Sequence, residues 1–432
     1  MISMYKLEKI PKQKLDFIIK RSGLDIEDVK EKVTSIIKYV QDYGDEAIQR
    51  YTEVFDGVKL SSFKVTRKEI NDAWKNIDSK LLEQMKRQIK YSKEFHKRQV
   101  LKDKKFEIQK GIILGERYTP IASVGLYVPG GRAAYPTVLQ ILAVPAIIAK
   151  VPRIVVCSPP NKKGKIPDSV LVCADILRVS EIYKVGGAQA IAALAYGTRS
   201  IKPVKKVVGP GNIYVSCAKM LLFGKIDIDM PAGPSEALII ADSSANPSFV
   251  AADILARCEH DPNASAVLVT DSERLAKKVK IEIQKQLSKL KRQEIIKKSL
   301  QKYSAILISK NWNKIIDFSN EYAAEHVEII VKNPWQIFPM IKNAGSIFLG
   351  KYSPVAVGDY ASGTNHVLPT GQFSKMFSPV GVDTFVKKSE FQYMTKNGLK
   401  KLDPIVKELS KEEGLDGHYN SVKVRLENEL RN

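Results

Sequence analysis

Glu325 and His326 stand side by side in the run EYAAEHVEII, residues 321–330. A carboxylate beside an imidazole can activate a water and shuttle a proton near neutral pH. Read as part of an amphipathic helix, such a pair is also ordinary solvated surface, so the remaining histidines decide its weight. The chain has five: His96, His260, His326, His366 and His418. Four lie in short stretches crowded with other chemically useful side chains, and only His96 sits in a plain Lys-rich helix. His260, Asp359 and His418 are ligand types that suit a borderline metal such as zinc, carried on three separate elements. No H-x-x-x-H or C-x-x-C spacing ties them together, so on the residues alone separate surface or core roles stay open.

The elements that would position these residues can be read from periodicity. Residues 123–242 repeat one pattern: VGLYVPGG, RIVVCSPP, EIYKVGGAQA and VKKVVGPGN each read as a strand entering a loop, with an apolar helix behind it. That alternation predicts a parallel sheet covered by helices on both faces. Ligands of such sheets sit beyond the carboxyl ends of the strands. Those ends carry Tyr127 to Gly131, Gly186 to Gln189 and Gly209 to Asn212. Glycines there let a phosphate approach the helix N-termini, which suits a dinucleotide. The G-x-G-x-x-G and Walker fingerprints are absent, so either a dinucleotide binds by another route or these are ordinary tight turns.

A second α/β unit follows. Residues 231–242 run into a strand, 246–260 are helical, SAVLVTD, SAILIS and SIFLG are strands, and Glu325-His326 is expected on a helix. Residues 353–369 read as a long polar loop carrying Asp359 and His366, and such loops are usually functional. Ahead of residue 123, Asp25 is expected to cap a helix through Gln49. Another helix is expected over 65–100, with Trp74, Ile77, Leu81, Met85 and Ile89 on one face, then strands at 106–111 and 121–128. The chain ends in a helical segment with Glu413 and His418.

At 432 residues, 44% hydrophobic, two or three roughly average domains and a soluble globular protein are expected. No apolar run reaches the ~18 residues of a membrane span, and the start lacks an apolar signal core, so the expected place is the cytoplasm. The formal charge of +22 raises nucleic acid as a partner. The lysines are densest in residues 86–110 and 277–302, amid glutamates, which reads as solvated helix faces instead. Cys157, Cys173, Cys217 and Cys258 are far apart and read as small buried hydrophobes.

Taken together, VGLYVPGG, VGGAQAIAALAYGT, GPGN, IDMPAGPSE, AEH followed by V, GDYASGTNHVLPT and the terminal EGLDGH resemble histidinol dehydrogenase, in the right order over nearly the whole chain. The resemblance implies an α/β protein of two incomplete Rossmann-like parallel-sheet domains plus a small tail domain. Its domains would be an N-terminal extension at 1–25, a first Rossmann-like domain at 26–122 with 237–380, a second, NAD-binding one at 123–236, and a tail at 381–432. It implies a homodimer whose tail completes the partner's site, no nucleic acid and no membrane. The activity implied is oxidation of L-histidinol to L-histidine, the last steps of histidine biosynthesis, with two NAD and a bound aldehyde. Glu325 would activate water and His326 would serve as acid–base partner. His260, Asp359 and His418 would hold zinc. Ser235, Arg257, His260, His326, Asp359, His366, Glu413 and His418 would line the substrate site, and Tyr127, Gln189 and Asn212 would contact NAD.

One departure matters. Three residues before His260 the family carries a glutamine that completes the zinc shell, and this chain has Arg257. A guanidinium has no lone pair to give a metal. The expectation kept is one zinc on three protein ligands with an open position. Otherwise the guanidinium supplies the positive charge in a metal-poor site, or the substrate is another amino alcohol or an anionic polyol.

Overall fold

The computed structural model describes residues 2–21, 26–130 and 133–427; Asp25 and Gly131 lie outside them. The repeat over 123–242 folds into a five-stranded parallel sheet. Its strands lie in the order Glu181–Tyr183, Ile154–Cys157, Val124–Tyr127, Lys206–Val208, Asp227–Ile228. The helices Pro136–Ile148, Asp168–Ile176, Gly187–Tyr196 and Ile213–Leu222 alternate with them. The parallel α/β architecture expected from the repeat is therefore present. Two earlier helices, Glu27–Tyr43 and Asp45–Asp56, pack against the last two of these through Val33, Val40 and Ile48. The single helix expected through Gln49 is broken at Gly44, where a φ of 51° suits a residue without Cβ.

The second sheet has six parallel strands in the order Ser3–Lys6, Ala305–Ile308, Ser265–Thr270, Glu236–Ala241, His326–Ile330, Ser346–Leu349. Alternate residues feed opposite faces, as strand geometry requires. Ile239, Leu268 and Ile306 join a core under helices Pro247–Cys258, Glu273–Leu287 and Gln293–Lys302. Leu238, Ile240 and Val269 join another core that takes in Ile18 of the helix Lys12–Lys20 and Phe318 of Trp312–Tyr322. The Lys-rich stretch at 277–302 is amphipathic, burying Val279, Ile283, Ile296 and Leu300.

Two sequence readings need correction. Glu325-His326 is not on a helix: the helix ends at Tyr322 and His326 opens a strand. The β-branched, apolar run HVEII is buried at every position in the middle of the sheet, and such burial outweighs helical periodicity over so short a segment. The loop expected at 353–369 contains the short helix Val355–Tyr360, which carries Asp359.

Residues 100–121 and 386–432 cluster as a separate unit. Within its described residues, the antiparallel strands Lys104–Gln109, Ile112–Pro120 and Val386–Met394 form a three-stranded sheet, accompanied by helices Lys396–Glu412 and Asp416–Glu427. The four cysteines are free and buried. Among the described residues no helix is long and apolar enough to cross a membrane.

Candidate functional site

A left-handed residue, Ala323 at φ 49°, ends the helix Trp312–Tyr322 and turns the chain toward the sheet. Glu325 and His326 follow at the amino end of a central strand, both buried. Glu325 Oε2 accepts the backbone N–H of Glu236 at 2.9 Å. His326 Nδ1 lies 3.1 Å from the Glu236 carbonyl oxygen and 3.3 Å from Glu325 Oε2. A proton on Nδ1 satisfies that carbonyl and leaves Nε2 facing Asp359 Oδ1 at 3.6 Å. Nε2 has no hydrogen-bond partner among the described residues. Burial alone would raise the Glu325 pKa, but the His326 ring, Arg257 and the Glu236 N–H outweigh it and hold the group below its usual range. Burial and Arg257 pull His326 down, yet Glu325 and Asp359 prevail and its pKa is raised. The pair is thus an ionised carboxylate beside a basic imidazole.

Several of the other expected residues lie around it on different elements. Arg257, on the helix Pro247–Cys258, is only 4% exposed. One of its terminal nitrogens is 3.5 Å from Asp359 Oδ2, while its Nε has no hydrogen-bond partner among the described residues. His260 follows just beyond the helix and opens to solvent. Its crowded surroundings, with Arg257 beside it, push its pKa down to about 4, so it is neutral. Asp359 is held far below the usual carboxylate range, because His326 and Arg257 overcome its burial. His366 is half-buried, with a pKa lowered by burial and a buried Nδ1 that has no hydrogen-bond partner among the described residues. Ser235 immediately precedes the strand Glu236–Ala241, and its carbonyl accepts the N–H of Ser265 at 3.1 Å.

Sequence reasoning missed the supports beneath this cluster. Arg21 and Glu236 form a buried ion pair. The guanidinium also donates to the Tyr322 carbonyl at 2.9 Å and lies 3.9 Å over the Tyr322 ring. Glu236 Oε1 in turn accepts the N–H groups of Glu325 and Gly371, each at 3.1 Å. Nothing local in the sequence marks Arg21; Glu236 at least lies in the IDMPAGPSE run. Asp253 and Glu328 were missed as well. Burial raises both carboxyls, Asp253 to about 6, and the neighbouring Asp253 raises Glu328 further. Glu328 is two residues after His326 on one face of a strand, a spacing that becomes informative only once the strand is known.

The expected dinucleotide residues gather elsewhere in the same unit, at the carboxyl ends of the five-stranded sheet. Tyr127, Gly187, Gln189 and Asn212 line a cavity of about 1240 Å³ whose opposite wall includes Tyr51, Phe55 and Asp56. Asp261, the neighbour of His260, reaches the same wall. The Tyr127 hydroxyl accepts the N–H of Gly187 at 3.0 Å, and Asn212 caps the helix Ile213–Leu222. Gln189 is buried with its carbonyl oxygen unpartnered among the described residues. At Gly209 the φ is 130°, and a Cβ would meet the Tyr127 carbonyl oxygen at 2.2 Å, so glycine is required there. An open, largely apolar groove with a few placed polar groups suits a dinucleotide.

Glu413 and His418 belong to the smaller unit, where both are exposed. Glu413 closes the helix Lys396–Glu412, and His418 lies in the first turn of the next. Arg257 stands where a further zinc ligand is expected, and a guanidinium has no lone pair to give a metal. Among the described residues no group of three or more His, Cys, Asp or Glu side chains is arranged to hold a metal ion. One Asp359 oxygen faces the Arg257 guanidinium and the other faces His326.

The family model described as Histidinol dehydrogenase matches residues 19–426. A histidinol dehydrogenase of Methanothermobacter thermautotrophicus is 46% identical over 423 residues, covering 98% of this chain and 99% of the relative. One of Methanocaldococcus jannaschii is 48% identical over 422 residues, 98% of each. The crystal structure of histidinol dehydrogenase from Elizabethkingia anophelis superposes with a TM-score of 0.94 at 35% identity, covering 98% of both chains.

Proposed function

The chain belongs to the histidinol dehydrogenase family, and from that premise we propose that it oxidises L-histidinol to L-histidine through L-histidinaldehyde, reducing two NAD. Family membership implies this biosynthetic oxidation and an NAD-dependent dehydrogenase. The observation that carries the reading is the Glu325-His326 pair, held to the backbone of Glu236, with His326 Nε2 beside Asp359 and without a hydrogen-bond partner among the described residues.

In the first oxidation, the carbinol carbon gives a hydride to NAD and the hydroxyl proton goes to His326 Nε2. In the second, Glu325 takes a proton from water as the water oxygen bonds to the aldehyde carbon, and protonated His326 returns its proton to the carbonyl oxygen to give the hydrate. The hydrate then gives its hydride to a second NAD, and His326 again takes the hydroxyl proton. Tyr127, Gln189 and Asn212 would hold NAD, which would accept the hydrides. Ser235, His260, Asp359 and His366 position the substrate. The enzyme is a cytoplasmic homodimer in which residues 381–432 are exchanged, delivering Glu413 and His418 to the partner's site. The domain division of 1–25, 26–122 with 237–380, and 123–236 belongs to the same reading. The family also implies zinc, and His260, Asp359 and His418 stand at its ligand positions. Because Arg257 disturbs that set, no step is routed through a metal.

The test is NADH formed per L-histidinol consumed: two supports the four-electron reaction, and none sinks it. A second reading, oxidation of another amino alcohol or an anionic polyol, is favoured by the buried, partly unpartnered guanidinium of Arg257. Turnover of such alcohols with no turnover of histidinol would establish it.

A further inference from the structure

The pocket already holds a cation. Arg257 is buried, with one guanidinium nitrogen 3.5 Å from Asp359 Oδ2. The other oxygen of Asp359 faces His326 Nε2 at 3.6 Å. Each oxygen of the carboxylate therefore already faces another group, one a permanent positive charge and the other the His326 imidazole. A guanidinium stays protonated and has no lone pair, so it cannot join a ligand set. A zinc ion bound about 2.1 Å from either Asp359 oxygen would have to share the carboxylate with one of these groups. Inside a buried pocket the repulsion between that ion and the guanidinium is weakly screened. The carboxylates themselves do not call for a second cation: Glu325 is satisfied by His326 and the Glu236 N–H, and Asp359 by Arg257.

We infer that Arg257 takes the place of a metal ion in this site: its guanidinium holds Asp359 toward His326 and balances the pocket's negative charge, so that both oxidations run without bound zinc. The inference rests on the histidinol dehydrogenase reading. Arg257 acts through Asp359 and is a positioning residue. No additional oxidant is required, because NAD accepts both hydrides.

The experiment uses the full-length protein, treated with a chelator and desalted. Zinc per chain is measured by elemental mass spectrometry, zinc affinity by competition with a chromophoric chelator, and turnover as NADH per L-histidinol. The parent protein is expected to carry zinc far below one ion per chain and to keep its turnover after chelation. Arg257→Gln removes the charge and offers a carbonyl oxygen in its place. It is expected to bind zinc at least about 100-fold more tightly than the parent, the order expected when one positive charge beside a divalent ion is removed. Arg257→Lys keeps the charge and is expected to bind no better than the parent, a comparison that survives if the glutamine variant does not fold. A parent protein that purifies with one zinc per chain and loses activity on chelation overturns the inference. So does an Arg257→Gln protein that binds zinc no more tightly, or an Arg257→Lys protein that binds it well. Absence of histidinol turnover in every form sinks the substrate reading, while the zinc comparison still decides what Arg257 does.

Discussion

At the scale of single residues, two neighbours are shifted in opposite directions, which suits the two tasks proposed for them. Glu325 is kept ionised by His326, Arg257 and a backbone N–H against the pull of burial. His326 is kept basic by two carboxylates. Only the second oxidation consumes water, so the two roles separate experimentally. Glu325→Gln is expected to slow the second oxidation by about 10²- to 10⁴-fold, the usual value of a general base, with a much smaller effect on the first. NADH per histidinol would then fall from two toward one, and a carbonyl trap would capture aldehyde. If both oxidations fall together with the ratio unchanged, Glu325 does not have the role assigned to it.

At the scale of elements, the Glu325-His326 pair depends on what holds the start of its strand. The Arg21–Glu236 ion pair joins the segment after the first helix to the head of one central strand and to the N–H of Glu325. Breaking a buried pair by removing one partner strands the other charge. Arg21→Ala is expected to lose about 3–5 kcal/mol of unfolding free energy, seen as a lower urea midpoint, together with lost turnover. A change within experimental error would show that the pair is not structural.

The Asp253–Glu328 contact ties the helix Pro247–Cys258 to the strand His326–Ile330 and makes stability depend on pH. The Asp253 carboxyl titrates near 6 in the folded protein and near 3.8 when free. Between those values the folded state binds more protons than the unfolded one, so this contact loses stability as pH rises from about 4 through about 6. Asp253→Asn should flatten that part of the profile, and an unchanged slope of urea midpoint against pH would refute the assignment.

At the scale of the whole molecule, the tail exchange can be tested without a new structure. Glu325→Gln disables the site of its own chain, whereas His418→Ala would disable the partner's. Mixed after unfolding and refolding, the two proteins, neither of which completes the oxidation to L-histidine, would form heterodimers in which one of the two sites is intact, and L-histidine formed is the readout. About a quarter of wild-type turnover is then expected from a 1:1 mixture. Each chain completing its own site would restore none.

Much of this was legible in the chain itself. The strand–loop–helix repeat over 123–242 has a short period and strong apolar runs, so local physics specifies it, and the loops carrying Tyr127, Gln189 and Asn212 fell where parallel sheets bind ligands. The family motifs carry Glu325, His326, Asp359 and His366, which the fold brings together, and also Glu413 and His418, which lie in the other unit. The sequence could not reveal that Glu325 and His326 sit at the head of a strand, because burial within a six-stranded sheet overrides the local periodicity of so short a run. Nor could it place Arg21 under Glu236, since 215 residues separate the pair, or leave Asp359 between Arg257 and His326. Those are long-range placements: electrostatic partners in a buried pocket are chosen by which elements pack together, and only the tertiary structure decides that.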